Sequence, residues 1–410
     1  MASNRTHKVN TAVVDGDEHY AALLGDSLKI FFGDAVKTAL TNPAQAYFFL
    51  RTLRWQKRAA ATRRRYADDG VHVPPIMLYS VTNRCNLHCR GCYHQALRGG
   101  AAEELTGEKV KSVVAEARDL GISFMVLAGG EPLVRPETLE IAAANPQVLF
   151  LIFTNGLLID DEVARKLKSC RNVIPIISVE GFETETDWRR GAGVSSRLER
   201  VMARLKENRV FWGTSTTVTR ENYPTVTRDT FVSKLNHMGC KMFFFVEYSP
   251  VRAGTEGWVI GEVQRSNLAV AMEKFRSRHS ALFISVPGDE GRFGGCLAAG
   301  RGFVHVSADG NVEPCPFVPF SDANVMKVSL KEALQSKFLA KVRGNSDKLE
   351  EGTGGCSLWK EREWLSSLLD ADAESLPPAR PQYVRELHTG RLPGDRLVRI
   401  TRHNSGVAVG

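Results

Sequence analysis

The sequence predicts a parallel α/β architecture, curled into a barrel or partial barrel, and two observations predict it. Between residues 76 and 250, six short apolar runs alternate with stretches of helical periodicity. Such alternation is the pattern of parallel strands joined by crossover helices. Right-handed crossovers curl the sheet and gather chemistry at the C-terminal strand ends. Consistent with that, the residue types able to do chemistry stand immediately after the apolar runs.

Residues 23–40 carry Leu24, Leu28, Phe31, Phe32, Val36, Ala39 and Leu40 at helical spacing. Asn42-Pro43 breaks this helix, and Pro43 suits the first turn of another. The second helix runs from Tyr47 to Trp55 with Phe48 and Phe49, then meets Lys57, Arg58, Arg63, Arg64 and Arg65. Aromatics followed by clustered cations fit an anionic membrane surface, where each cation contributes ~1 kcal/mol. The alternative is a helical hairpin packed on the rest of the chain with a solvated basic end. Nucleic acid is not an expected partner, because no nucleic-acid-binding motif accompanies the charge. Asp68-Asp69-Gly70 and Pro74-Pro75 read as a linker, so residues 1–75 are expected to be an N-terminal helical extension.

The first strand is Ile76 to Val81, followed by a helix from Glu108 to Leu120 that Gly121 ends. Strands follow at Phe124 to Ala128, Val148 to Phe153, Val173 to Ser178, Phe211 to Thr219 and Lys241 to Tyr248. Helices are expected near Pro136 to Ala144, after Asp160-Asp161-Glu162, over Ser195 to Asn208 and over Thr227 to Met238. Residues 251–285 read as a linker with a helix from Asn267 to Arg278.

The loop leaving the first strand holds Cys85, Cys89 and Cys92, spaced C-x3-C-x2-C. Such a loop can wrap three thiolates around one metal centre. Three ligands leave a four-iron cluster with one iron open to a further ligand. A structural zinc site or free buried thiols are the plain alternatives, but zinc prefers four ligands and paired spacing.

The trio resembles the signature of the radical S-adenosylmethionine (SAM) superfamily. One departure bears on how adenine is covered: the family often has an aromatic residue before the third cysteine, where this chain has Gly91, with Tyr93 following. The resemblance implies a partial (β/α)6 TIM-type barrel, here residues 76–285, which agrees with the six strands counted. It implies a 4Fe-4S cluster, SAM and a low-potential electron donor such as ferredoxin or flavodoxin. Its chemistry is reductive cleavage of SAM to methionine and a 5′-deoxyadenosyl radical, which abstracts hydrogen from a substrate.

Gly129-Gly130-Glu131-Pro132 follows the second strand. Glycines let backbone approach a ligand closely, and the segment resembles the family's glycine-glycine-glutamate stretch that holds the amino group of SAM. Asn155, in the turn after the third strand, could face the same site. Ser178 and Glu180 match positions that in the family lie near the ribose and methionine of SAM, with Glu180 where aspartate is commoner. Arg190 could pair with the SAM carboxylate or form a surface salt bridge. Glu247, ending the sixth strand, is a substrate contact or a satisfied core ion, and its barrel-top position favours the substrate contact as a catalytic residue.

Cys296, Gly310 and Cys315 fit C-x13-G-x4-C around a β-hairpin built on Phe303 to Ser307 and Val312 to Pro314. This resembles the auxiliary-cluster extension called SPASM, or its shorter form Twitch, over residues 286–360. Cys356 could be a third ligand to an auxiliary 4Fe-4S cluster, and His305 or Glu313 could close its ligand set. A zinc-bound or metal-free hairpin is the alternative. Residues 361–410 are expected to hold a short helix and a basic, mobile tail. Cys170 and Cys240 read as buried free thiols.

Composition bounds the rest. The 410 residues are 43% apolar and 24% charged with net charge +8, ordinary for a soluble globular protein. No apolar run is long enough to span a bilayer and the N-terminus lacks a secretory core, so a cytoplasmic protein is expected, peripheral at the membrane if the basic helix binds there. The clustered spacing among the eight cysteines favours metal binding over disulfides. The basic aromatic N-terminal segment favours a small apolar or amphipathic substrate, of lipid or tetrapyrrole type. The alternatives are a peptide- or protein-modifying maturase, although no leader-binding module is evident, and a non-enzymatic metal-binding protein.

Overall fold

The computed structural model describes residues 33–40, 42–98, 103–290, 295–349 and 356–370. Most of the first expected helix and the whole basic tail lie outside the described residues; of the former, a helical stretch at 33–38 is seen.

The elements, in order, are α1 (Pro43–Asp68), β1 (Ile76–Thr82), α2 (Tyr93–Leu97), α3 (Gly107–Asp119), β2 (Phe124–Gly129), α4 (Glu137–Ala143), β3 (Leu149–Thr154), α5 (Asp161–Ser169), β4 (Val173–Ser178), α6 (Glu183–Arg190) and α7 (Val194–Glu207). They continue with β5 (Trp212–Val218), α8 (Asp229–His237), β6 (Cys240–Glu247), α9 (Glu262–Arg278), β7 (Leu282–Val286), β8 (Phe303–Val306) and β9 (Val312–Glu313). The nine strands form one sheet in the order β7-β6-β5-β4-β3-β2-β1-β8-β9. Every pairing from β7 to β8 is parallel, and only β8 with β9 is antiparallel. The β1–β6 portion is the expected partial barrel.

Alternation along each strand divides the core in two. Met77, Tyr79, Val81, Met125, Leu127, Phe150 and Ile152 pack beneath the helices, against Val110, Val113, Val114 and Ala117 of α3. Phe124, Leu149, Leu151, Ile174, Ile176 and Met242 point to the other face, where Phe48 and Phe49 of α1 meet them. Asn42 caps α1 by accepting from Gln45 N at 3.3 Å.

α1 crosses the N-terminal ends of the strands. Asn42 Nδ2 donates to Arg209 O at 3.0 Å, Gln45 Nε2 to Arg171 O at 3.0 Å and Arg63 Nη1 to Gly121 O at 2.6 Å, all carbonyls just upstream of a strand. Phe49 is fully buried edge-on to Phe211, 5.2 Å between centroids. Burying such a ring contributes about 1.5–3 kcal/mol. The aromatics therefore serve packing as in the hairpin alternative, while Tyr47 (67% exposed) and Leu50 (51%) stay outward beside Arg51, Arg54, Lys57 and Arg58.

Three features differ from the sequence expectation. β7 extends the sheet inside the stretch read as linker and helix, because its five residues give too short an apolar run to stand out. The hairpin β8–β9 joins the barrel sheet at β1, with Ile76 opposite Phe303 and Tyr79 opposite Val306. α6 reads Glu-Thr-Glu-Thr-Asp-Trp-Arg-Arg and has no apolar stripe. Acids in its first turn and arginines in its last favour it through the helix dipole.

Candidate active site

The cysteine loop leaves β1 at Thr82, where Glu104 accepts from Thr82 Oγ1 at 2.9 Å and from Asn83 N at 2.7 Å. Cys85, Cys89 and Cys92 are half-buried free thiols. They lie close enough to interact: Cys89 and Cys92 make Cys85 harder to ionise and Cys92 does the same at Cys89, although burial is the larger cause at both. The guanidiniums of Arg190 and Arg189 pull Cys89 back down.

Two glycine requirements define the loop's packing. Gly130 N donates to Thr82 O at 2.7 Å, and a Cβ on Gly130 would lie 2.1 Å from Arg84 O. The glycine pair thus brings the end of β2 onto the backbone of the cysteine loop itself. Gly91 has φ +65°, and a Cβ there would meet the Trp258 ring at 2.5 Å and Tyr248 Oη at 2.9 Å. The space next to the third cysteine is therefore filled by rings from the end of β6 and beyond it.

Glu131 is fully buried at the mouth of the strands. Its carboxylate accepts from Leu133 N at 3.0 Å, Thr154 Oγ1 at 2.7 Å and Asn155 N at 2.7 Å. Burial pushes this carboxyl up and those hydrogen bonds hold it down. Three of about four acceptor directions are taken, so one is left for a ligand ammonium. Pro132 starts a single 3-10 turn behind it. Asn155 Nδ2 donates to Asn86 Oδ1 at 2.6 Å and stands 3.9 Å from Cys85 Sγ. Ser178 ends β4 half-buried, opposite Ser215.

At two of the expected positions the structure shows a partner within the chain. Arg190, expected at the SAM carboxylate or on the surface, is buried on Glu180: its Nε and Nη2 lie 2.9 and 2.5 Å from Glu180 Oε1, and Nη1 stands 3.9 Å from Cys89 Sγ. Glu180 also takes Arg189 Nη1 at 2.5 Å, so its carboxylate is engaged by side chains of its own chain. Glu247, favoured as an open substrate contact, is instead a satisfied ion: Arg265 Nε and Nη2 reach its Oε2 at 2.9 and 2.6 Å. Burial raises the Glu247 carboxyl and Arg265 opposes the rise.

The residues that sequence reasoning missed include an aromatic group at the same mouth. Trp188 of α6 lies 5.1 Å from Trp258, which lies 5.3 Å from Tyr248, and the Arg90 guanidinium covers Trp188 at 5.2 Å. Tyr248 Oη is buried, with the Thr255 side chain beside it. No local motif marks these residues; Gly91 was the one available hint, since a missing side chain in a loop must be filled from elsewhere.

The C-terminal cysteines converge from three places. Cys296 precedes β8, Cys315 follows β9, and Cys356 opens the helical turn Ser357–Lys360. The Cys315 and Cys356 thiols are near enough to shift each other's ionisation, and Cys296 adds to the cost of ionising Cys315. Burial pushes Cys296 and Cys315 up, whereas the Cys315 contact holds Cys356 down. Neither side chain considered as a further ligand is free. Glu313 pairs with Arg98, at 2.7 Å through Nη1, and lies 2.7 Å from His305 Nδ1; His305 Nε2 lies 2.9 Å from Ser80 Oγ.

Among the described residues, no group of three or more His, Cys, Asp or Glu side chains closes as tightly as a single metal ion requires. Zinc draws its thiolates to about 2.3 Å from one point. Thiolates on a cluster bond separate irons, and three neighbouring thiols with N–H donors beside two of the sulfurs suit such a group.

Residues 79–228 match the family model "Radical SAM superfamily". The chain carries a radical SAM domain. Enzymes of this family use a 4Fe-4S cluster and SAM, and they need an electron donor and a substrate. Over 321 residues the enzyme is 26% identical to the AdoMet-dependent heme synthase of Methanosarcina barkeri, spanning 70% of this chain and 90% of that one. It is 31% identical over 172 residues to the Fe-coproporphyrin III synthase of the same organism, 38% of this chain and 43% of that one. It is 27% identical over 356 residues to the mycofactocin maturase MftC of Mycobacterium tuberculosis, 80% of this chain and 90% of that one. Streptococcus suis SuiB bound to precursor peptide SuiA shares the fold, with TM-score 0.57 and 16% identity over 77% of this chain and 75% of that one. SPASM-type structural neighbours carry auxiliary clusters. Among the described residues of this radical SAM enzyme, no helix is long and apolar enough to cross a membrane.

Proposed function

We propose that this radical SAM enzyme acts on a flat, amphipathic, carboxylate-bearing substrate of the tetrapyrrole class. The observation that carries the reading is the aromatic wall of Trp188, Trp258 and Tyr248 beside the cysteine loop, with Trp188 39% exposed and Arg90 lying over it. Stacking faces suit a conjugated ring, and an adjacent guanidinium suits its carboxylate arms. The names of two relatives, heme synthase and Fe-coproporphyrin III synthase, point the same way.

In this reading Cys85, Cys89 and Cys92 hold the SAM-binding cluster and Cys296, Cys315 and Cys356 hold an auxiliary one. A cluster held by the first trio would supply the electron for reductive cleavage of SAM to methionine and a 5′-deoxyadenosyl radical. The chain's own residues position the reactants. Gly129 and Gly130 seat β2 against the cysteine loop, and Glu131 keeps one acceptor for the SAM amino group. Asn155 and Ser178 line the strand ends next to it, and the aromatic wall excludes water. Arg84, just before the trio, and Arg90, between its second and third cysteines, are exposed, which suits an acidic donor such as ferredoxin or flavodoxin. Contact with an anionic membrane would be made by Tyr47, Leu50 and the cations of α1; failure to float with anionic vesicles ends that idea.

The test is anaerobic turnover of cluster-loaded enzyme with SAM, dithionite and Fe-coproporphyrin III. Formation of 5′-deoxyadenosine together with a shift in the porphyrin absorption supports the proposal. A peptide substrate is the second reading, favoured by the 80% of this chain aligned with the mycofactocin maturase. If the porphyrin leaves 5′-deoxyadenosine at its background level, the tetrapyrrole reading is wrong. Absence of 5′-deoxyadenosine under every condition would favour a non-catalytic metal protein.

A further inference from the structure

The buried charges beside Cys89 do not balance. Glu180 is one carboxylate, 1% exposed, and its Oε1 faces two guanidiniums: Arg189 Nη1 at 2.5 Å, and Arg190 Nε and Nη2 at 2.9 and 2.5 Å. Its Oε2 accepts from Thr217 N at 3.2 Å. The Arg189 and Arg190 side chains are themselves only 9% and 10% exposed. Among the described residues, Glu180 is the only ion-pair partner of either arginine. Arg189 Nε is buried with no partner, and Arg190 Nη1 is turned to Cys89 Sγ at 3.9 Å. One positive charge is therefore in excess, in a place where water cannot screen it, and such a charge requires a compensating anion. The backbone fixes the arrangement, because Arg90 N, next to Cys89, donates to Arg189 O at 2.8 Å.

We propose that Arg189, Arg190 and Glu180 form a fixed electrostatic support that raises the reduction potential of an iron–sulfur cluster on the first cysteine trio. Arg190 donates an N–H to the Cys89 sulfur, and the surplus cation stabilises the electron added on reduction. Cluster potentials respond to net charge, hydrogen bonds to sulfur and solvent access, and here the first two act together. Glu180 works against the cations and sets how much of their charge is felt. The step is a one-electron reduction by an external donor, with no bond made or broken. Arg190 and Glu180 are positioning residues in this account, and their effect is present before SAM binds. The inference rests on the assignment of the first trio to a cluster made under the proposed function.

The experiment is a potentiometric titration of the reconstituted full chain without SAM, followed by electron paramagnetic resonance, with iron content and thermal melting measured alongside. Arg190→Gln is expected to move the midpoint of the first cluster to a more negative potential, and Glu180→Gln to a more positive one. Opposite signs distinguish an electrostatic role from a structural one, since local unfolding would shift or bleach both variants alike. Unmoved midpoints, or shifts of one sign, overturn the inference. Should Arg190→Gln lose its iron, Arg190→Lys replaces it: a midpoint below wild type is expected, and one equal to or above it overturns the inference. A wild-type chain that takes up no cluster at the first trio fails the proposed function itself, whereas a loaded cluster with unmoved potentials fails only this inference.

Discussion

The two cysteine trios of this enzyme are built in opposite ways. Cys85, Cys89 and Cys92 come from one loop, are half-buried, and stand beside exposed cations and half-exposed rings at the mouth of the strands. Cys296, Cys315 and Cys356 come from three separate stretches, and two of them are buried behind the β8–β9 hairpin. A site assembled from one loop can stay open to a ligand that must enter and leave. A site closed from three directions excludes exchange and ties distant pieces of chain together.

Removing a thiol from each trio gives the largest contrast. Cys89→Ala should abolish 5′-deoxyadenosine formation, whereas Cys315→Ala should lower iron per chain to roughly half and leave SAM cleavage measurable, as iron analysis and product assays would show. Equal loss of SAM cleavage in both variants would break the distinction.

Next in size is the link between the trios. Arg98, just past α2, is buried on Glu313, two residues before Cys315. Arg98→Met leaves the buried Glu313 carboxylate with His305 alone and should cost about 3–5 kcal/mol. Thermal melting reads the loss. Smaller is Gly130→Ala, whose Cβ would press on Arg84 O. It should cost about 1–3 kcal/mol and weaken SAM binding while leaving iron at the second trio intact. Smallest is a difference in rate. In the iron-free chain, maleimide should modify Cys85, Cys89 and Cys92 about tenfold faster than Cys296 and Cys315, whose thiols burial pushes upward. Mass spectrometry of tryptic peptides would rank them.

The same contrast explains what could be read from the sequence. The first trio is a local signal, three cysteines within eight residues after an apolar run, and the six strands announce themselves by alternation with helices. Gly129, Gly130 and Glu131 are found by position after β2, but not the reason for the glycines, which is contact with the cysteine loop. What stayed hidden was non-local. Glu247 looks like an open carboxylate until α9 brings Arg265 onto it. Arg190 looks like a ligand clamp until α6, a helix with no apolar stripe, turns it onto Glu180. Trp258 belongs to no motif and matters only because Gly91 leaves room for it. The pairing of β8 with β1 links residues more than two hundred positions apart, and neither strand carries a mark of the other.

That pairing also determines what can be cut away. A fragment ending near residue 285 would expose the whole β1 edge that β8 now covers, and a bare parallel edge of apolar residues recruits other chains. The C-terminal hairpin is thus a seam of the catalytic sheet rather than a detachable accessory, and truncated versions of this enzyme should be recovered as aggregates.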